Sequence, residues 1–162
     1  MKSYFLTFVR YNAWANKRLY DVVAQVPDAQ YREDRRAYFR SLHGTLNHLL
    51  VGDRIWLARL AGEGNPPISL DEILYDDFAA LRQAREAEDD RLIRTVDNFG
   101  DVQLAGNIAY RNLRDEPVVR SLVLVLAHVF NHQTHHRGQA HTLLTQLGYN
   151  APSLDLVFFL QE

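Results

Sequence analysis

The residues with the most chemistry to offer are histidines, and they are crowded together. Five of the seven, His128, His132, His135, His136 and His141, fall in the single stretch LVLAHVFNHQTHHRGQAHTLLTQLG at 124–148. Read as a helix, residues four apart lie one above the other, so His128, His132 and His136 form a column of imidazoles on one face. A pair at i and i+4 is the spacing with which helical zinc-protease motifs grip one metal ion. Not all five can contribute. His135 points about 100° around the helix from His136, and His141 drifts off the column. His48 stands in a second apolar periodic segment, SLHGTLNHLLVGDRIWLARL, from which a facing helix would present it as a third ligand. The spacing predicts a three-histidine metal site of His48, His132 and His136, with His128 as the rival ligand one turn earlier. The plainer alternative is a set of solvated or hydrogen-bonded structural histidines. Five within fourteen positions, with no tag-like run at a terminus, argue for the metal.

The composition narrows the field. A chain of 162 residues, 47% hydrophobic and 23% charged, is expected to be a single globular domain spanning 1–162. A net charge of −2 with scattered Arg and Lys gives no basic patch for nucleic acid. There is no cysteine, hence no disulfide framework and no thiolate ligand or nucleophile in the chain, which fits a cytoplasmic protein. The N-terminal MKSYFLTFVRYNAWANKRL intersperses polar residues where a signal peptide would be unbroken. No segment reaches the eighteen or so apolar residues of a membrane span.

The elements that must position the histidines follow from periodicity. A first helix is predicted over 3–26, with a stripe of Tyr4, Phe8, Tyr11, Ala15, Leu19 and Val22 and a stop at Pro27. Asn12, Trp14 and Asn16 sit off that stripe and read as core or rim packing. Residues 27–36 read as a polar loop. A second helix is expected over 38–61, with Leu42, Leu46, Leu49, Trp56 and Leu60 facing inward and Gly62 and Gly64 ending it. Within it Gly44 and Gly52 flank His48 one turn away on either side. Glycines there cost helix stability and suggest that something approaches closely. His43 reads as a surface or hydrogen-bonding histidine. Residues 62–69 are the clearest loop, and the spacing Ser69 to Glu72 predicts a capping box opening a short helical turn. A third helix is expected over 77–98, buried through Phe78, Leu81, Ala84, Leu92, Val96 and Phe99, with Arg82, Arg85, Glu86, Glu88, Asp89 and Asp90 on a solvated face. Residues 101–119 lose the helical period and read as a β-hairpin or irregular connection crossing the end of the bundle. The histidine helix is expected over 120–147, and the apolar tail APSLDLVFFLQE as a short helix packed on the bundle or across a dimer interface. Together these predict an all-α fold, a four-helix bundle with a short β-hairpin or irregular connection before the last long helix.

Four motifs carry a family resemblance: N-H-Q-T-H-H-R-G-Q at 131–139, N-H-L-L-x-x-D-x-x-W from Asn47 to Trp56, Y-N-x-W-A-N at 11–16, and L-G-Y followed by P-x-L-D-L. The chain resembles the DinB family of damage-inducible, DinB/YfiT-like metalloproteins over essentially its whole length. The resemblance implies a four-helix bundle, often a homodimer, with a divalent metal held by three side chains from two helices. Carried over, those ligands fall on His48, His132 and His136, which leaves His128 and His135 outside the ligand set. Three neutral imidazoles with a free fourth position make a catalytic or exchangeable site, for which zinc and nickel are the first choices of ion.

The family includes transferases and isomerases that use a low-molecular-weight thiol such as bacillithiol, mycothiol or glutathione. A metal-dependent, thiol-using transferase with a small-molecule substrate is therefore the leading expectation. The alternatives are a non-enzymatic metal-binding stress-response protein and a hydrolase acting through metal-bound hydroxide. The hydrolase needs a proton-moving group, for which His128 and Asp53 are the candidates. Asn47, Asn131 and Gln139 are candidates to orient the ligands. Arg137 reads as an ion-pairing structural residue, Gly138 as a point of close helix contact, and Tyr11, Trp14 and Trp56 as core aromatics that could also wall a pocket.

Overall fold

The computed structural model describes residues 1–62 and 69–161. Four long helices dominate: α1 (Lys2–Val23), α3 (Leu42–Ala61), α4 (Phe78–Asp97) and α6 (Leu122–Gln146). Between and after them lie short helices α2 (Asp28–Tyr31), α5 (Asp101–Leu104) and α7 (Leu156–Phe159) and one antiparallel hairpin, β1 (Asn107–Arg111) with β2 (Pro117–Ser121). The ends of the helices are set locally. Ser41 caps α3 by accepting from the Gly44 N–H at 3.1 Å, and Asp77 caps α4 by accepting from Ala80 at 2.8 Å. Gly62 ends α3 with a left-handed φ of +67°, which an L side chain adopts only under strain. The second helix thus starts at Leu42, four residues later than its periodicity suggested. Residues 37–40 instead make a tight turn with Arg40 at φ 67°.

The four long helices pack in a ring, each against two neighbours, in the order α1, α4, α3, α6. Two apolar cores show their directions. One gathers Leu19 and Val23 from the end of α1, Leu42, Leu46 and Leu49 from the start of α3, Leu81 from the start of α4 and Leu143 and Leu144 from the end of α6. The other gathers Phe5 and Val9, Leu57, Leu92 and Val96, and Leu122, Leu126 and Phe130, the opposite ends of the same helices. So α1 and α6 run one way, and α3 and α4 the other. Parallel neighbours cannot be joined by a tight turn. The chain between α3 and α4 must return the length of α3, and this explains one departure from the sequence reading. Ser69 to Asp77 contains no helical turn. The Ser69 hydroxyl donates to Asp71 instead of capping a helix, and the segment lies along α3, with Tyr75 bonded to Asn47. Most of the expected 62–69 loop lies outside the described residues. The hairpin does cross the end of the bundle, joining α4 to α6, which are not ring neighbours.

Two further expectations are corrected. The buried face of α1 is wider than the predicted stripe: Tyr11, Ala15 and Leu19 are buried as expected, but Phe5, Val9, Asn12, Asn16, Tyr20 and Val23 are buried as well, and Tyr4 is exposed. Arg85, Glu88 and Asp89 are buried, not solvated. They belong to a polar layer between the two apolar cores. Arg85 approaches Asp53 at 2.7 Å and Asp89 at 3.1 Å. Asn16 donates to Asp89 at 2.9 Å, and Asn12 at 3.2 Å. Arg137 from α6 donates to the side-chain oxygens of Asn12 and Asn16. It makes no direct ion pair among the described residues and lies over the Tyr11 ring at 5.4 Å. Every long helix contributes to this layer. The tail forms α7, where Phe159 packs on Tyr11 and Trp14, while Val157, Phe158 and Leu160 stay exposed. No helix among the described residues is long and apolar enough to cross a membrane.

Candidate metal centre

His132 and His136 rise from one face of α6, one turn apart, and His48 faces them from the adjacent α3. The His48 Nε2 lies 3.1 Å from Nε2 of His132 and 3.1 Å from Nε2 of His136. One ligand atom from each of the three falls within 4.8 Å of the others. The other ring nitrogens explain the orientation. His48 Nδ1 donates to the Leu70 carbonyl at 2.7 Å, and His136 Nδ1 donates to Gln139 Oε1 at 2.7 Å. A proton on each Nδ1 leaves Nε2 as a bare lone pair, so these two lone pairs face one another. That arrangement is repulsive unless a cation sits between them. Zn–N bonds of about 2.0–2.1 Å at a tetrahedral ion put neighbouring nitrogens about 3.3 Å apart, close to the spacing seen here. The donor set and its hydrogen bonds fit a divalent metal, and the cluster could hold one.

The packing around the cluster is specific. Phe39 stacks on His48 with ring centroids 3.7 Å apart and 17° between planes, and meets His136 edge-on at 5.5 Å. A methyl group at Gly52 would stand 2.7 Å from Cε1 of His132, so Gly52 is the opening through which that ring approaches α3. This accounts for one of the two glycines flanking His48. Gly44 clears the Phe39 carbonyl instead.

Burial is the first cause of every pKa shift in the cluster. It pushes His48 down to about 4, offset in part by the Leu70 hydrogen bond and aided by His136. His132 is pushed down to about 3 by burial and then by the surrounding imidazoles, His136 first. His136 is also lowered, against the raising effect of Gln139. All three are neutral at pH 7, the form that binds metal without first losing a proton.

The other candidates separate cleanly. His128 lies on the same face, 5.9 Å from the His132 ring and edge-on to Trp56 at 5.0 Å. It is not among the converging atoms, and burial lowers its pKa. His135 is exposed, with Nε2 3.3 Å from the Gln139 amide, and His141 reaches the Pro152 carbonyl at 3.1 Å. His43 is buried at Tyr31 and lies 3.3 Å from the Tyr75 carbonyl, so it is hydrogen-bonded but not at the surface. Of the three amides proposed to orient ligands, Gln139 bonds one of the converging histidines, His136. Asn47 instead ties the return segment to α3 through Tyr75, and Asn131 is exposed. Gly138 is exposed with nothing near its missing Cβ, so it permits no close contact. Asp53 is committed to Arg85 and Gln133 and is not free to move protons at the cluster. Phe39 and the Leu70 carbonyl were not foreseen. The segment lengths alone do not say that the loops before and after α3 fold onto His48.

The cluster opens on one side into a cleft of about 460 Å³ lined by His48, His132, His128, Trp56, Arg59 and the hairpin. Fold and site together describe a four-helix bundle with a three-imidazole cluster between two neighbouring helices. A sequence model of the DinB family matches residues 1–162, and the chain belongs to that family. It is 24% identical over 167 residues to Protein DinB of Bacillus subtilis (strain 168), covering 99% of this chain and 95% of that one. The fold is shared with a DinB-like protein from Bacillus cereus ATCC 10987, with a TM-score of 0.71, 17% identity, and coverage of 92% of this chain and 94% of that one.

Proposed function

We propose that the chain binds one divalent metal ion, zinc or nickel, through Nε2 of His48, His132 and His136, and uses it as a metal-dependent transferase for a low-molecular-weight thiol. One observation carries the metal reading: the Nε2 lone pairs of His48 and His136 face each other at 3.1 Å while the Nδ1 of each donates outward, and His132 Nε2 lies 3.1 Å from His48 Nε2. A bound divalent ion would supply Lewis acidity, lowering the pKa of a thiol or water placed in the free position. Among the described residues no carboxylate completes the group, so that position faces the cleft. The chain has no cysteine of its own, so a thiol would come from the cosubstrate.

The protein's part is to orient three neutral imidazoles and to wall the cleft. The cleft is a reason to prefer an enzyme to a metal store, since a storage site needs no room for an organic ligand. A hydrolase remains the second reading, because His128 is a neutral imidazole in that cleft, one turn from His132. The homodimer implied by the family belongs to the same proposal, and the apolar residues that α7 leaves exposed fit it.

The test begins with elemental mass spectrometry on untagged protein beside His48→Ala and His136→Ala. We expect near-stoichiometric metal in the parent, lost in both variants. A small thiol should then bind the loaded protein and not the chelated one. Equal thiol binding after chelation would rule out the transferase, and a parent that neither contains nor reloads metal would rule out the centre itself.

A further inference from the structure

The cleft beside the histidine cluster has an unequal distribution of charge. Its far end is cationic. Arg59, on the last turn of α3, lies 4.6 Å from the Trp56 ring centroid and 4.8 Å from that of Tyr110 on β1. The two rings stand at 73° to each other, so the guanidinium can lie flat on one of them at most, and among the described residues none of its five N–H donors meets a hydrogen-bond acceptor. Among the described residues no carboxylate lines the cleft, and Arg59 ion-pairs with none. The nearest hairpin acids are engaged elsewhere: Asp115 with Arg111 at 3.2 Å, and Glu116 with the Asn112 amide at 2.7 Å. Burial lowers the Arg59 pKa, against a raising effect of Tyr110. Arg114 adds a second cation at the rim.

Between the two ends the walls are apolar. Trp56, Leu70 and Leu113 line the cleft, and the last two are 46% and 53% exposed, a poor use of leucine unless something covers them. The path from cluster to cation is short: His132 to His128, 5.9 Å; His128 to Trp56, 5.0 Å; Trp56 to Arg59, 4.6 Å.

We propose that this cleft selects small organic carboxylates bound end-on. Their donor atom sits at the three-histidine centre, their apolar body lies against Trp56, Leu70 and Leu113, and their carboxylate takes the free edge of Arg59. A planar guanidinium fork matches a carboxylate with two parallel hydrogen bonds, and such charge-assisted pairs are roughly twice as strong as neutral ones. Arg59 is a specificity-determining residue in this account, and Arg114 contributes only long-range attraction. The inference rests on the metal-centre reading above.

The experiment uses the full chain loaded with cobalt(II), whose thiolate charge-transfer band reports ligand binding directly. Mercaptoacetate, mercaptobutyrate and mercaptohexanoate are titrated beside their amides. The longer acids should bind about tenfold more tightly than their amides, and mercaptoacetate, too short to reach, should show no preference. Arg59→Gln should abolish the preference with cobalt content unchanged, while Arg114→Gln should change it less than about twofold. Inorganic phosphate should compete weakly. Acids and amides of equal affinity in the parent, or a preference that survives Arg59→Gln, would overturn the proposal and leave the metal centre standing. Failure to take up cobalt would overturn both.

Discussion

Two buried polar groups sit side by side in this bundle, and they are built on opposite principles. In the layer between the apolar cores, Arg85 and Arg137 are matched by Asp53 and Asp89, with Asn12, Asn16 and Gln133 distributing the contacts. Burial alone would lower the Arg85 pKa, but Asp89 and Asp53 beside it outweigh that and hold it protonated. The layer is closed: Arg85 faces Asp53 and Asp89, and Arg137 is hydrogen-bonded to the side-chain oxygens of Asn12 and Asn16. One helical face away, three imidazoles converge, and two of them, His48 and His136, turn their outer nitrogens to protein acceptors and their inner ones to each other. That cluster is open, and it could hold a metal ion. A closed group specifies how four helices register, and an open one leaves room for a ligand. Gln133 and Asp53 lie between, since Gln133 is next to His132 in sequence and Asp53 next to Gly52.

The comparison breaks most visibly at Arg85. Arg85→Ala leaves two buried carboxylates without the cation that touches them and is expected to cost about 3–5 kcal/mol in urea unfolding, the usual cost of breaking a buried pair. The folded fraction should still take up metal. A cost below about 1 kcal/mol would mean that the layer does not hold the bundle together. A smaller effect is expected at Gly52. Gly52→Ala puts a methyl group 2.7 Å from Cε1 of His132 and must move the ring. Metal affinity should fall about 10–100-fold, the range seen when a ligand loses its orientation. Gly138→Ala, on the same helix as His132 but with open space at its Cβ, is the control. It should stabilise by about 0.5–1 kcal/mol through helix propensity and leave affinity unchanged.

The open group was more legible in the sequence than the closed one. The i, i+4 spacing of His132 and His136 survives any small error in helix boundaries, and His48, unlike His43 in the same predicted helix, has a glycine one turn away on either side. The charged layer was misread because charge was assigned to solvent by residue type. Its signal was nonetheless in the spacing. The predicted stripe of the third helix ran from Ala84 to Leu92 with nothing apolar at the intervening inward turns, and Arg85, Glu88 and Asp89 fill that gap. In the first helix, steps of four and three link Phe5, Val9, Asn12, Asn16, Leu19 and Val23 into one face, with two asparagines where the polar layer crosses. Phe39 and the Leu70 carbonyl carried no such signal. Their positions follow from the directions of the helices, since parallel α3 and α4 force the connecting chain back past His48. Sequence periodicity says nothing about direction.

Acid separates the two groups by sign, in the metal-free protein. An unfolded histidine titrates near 6.5, whereas His48 and His132 in the fold are held at about 4 and about 3. Below about pH 6.5 the unfolded chain binds protons that the folded cluster refuses, so stability falls as pH drops toward those folded values. Asp89 does the reverse. Burial raises it to about 6 against the pull of Arg85, so the folded state takes up a proton before the unfolded chain does, and stability rises across the window from about 6 to about 4. At least two histidines oppose one carboxyl, so the net effect is a loss of stability between pH 6.5 and 4, measurable as the change in urea midpoint across that range. His48→Ala should flatten the slope and Asp89→Asn should steepen it, whatever either does to stability at pH 7. If both variants moved the slope in the same direction, the two groups would not be independent, and the division between a closed layer and an open cluster would fail.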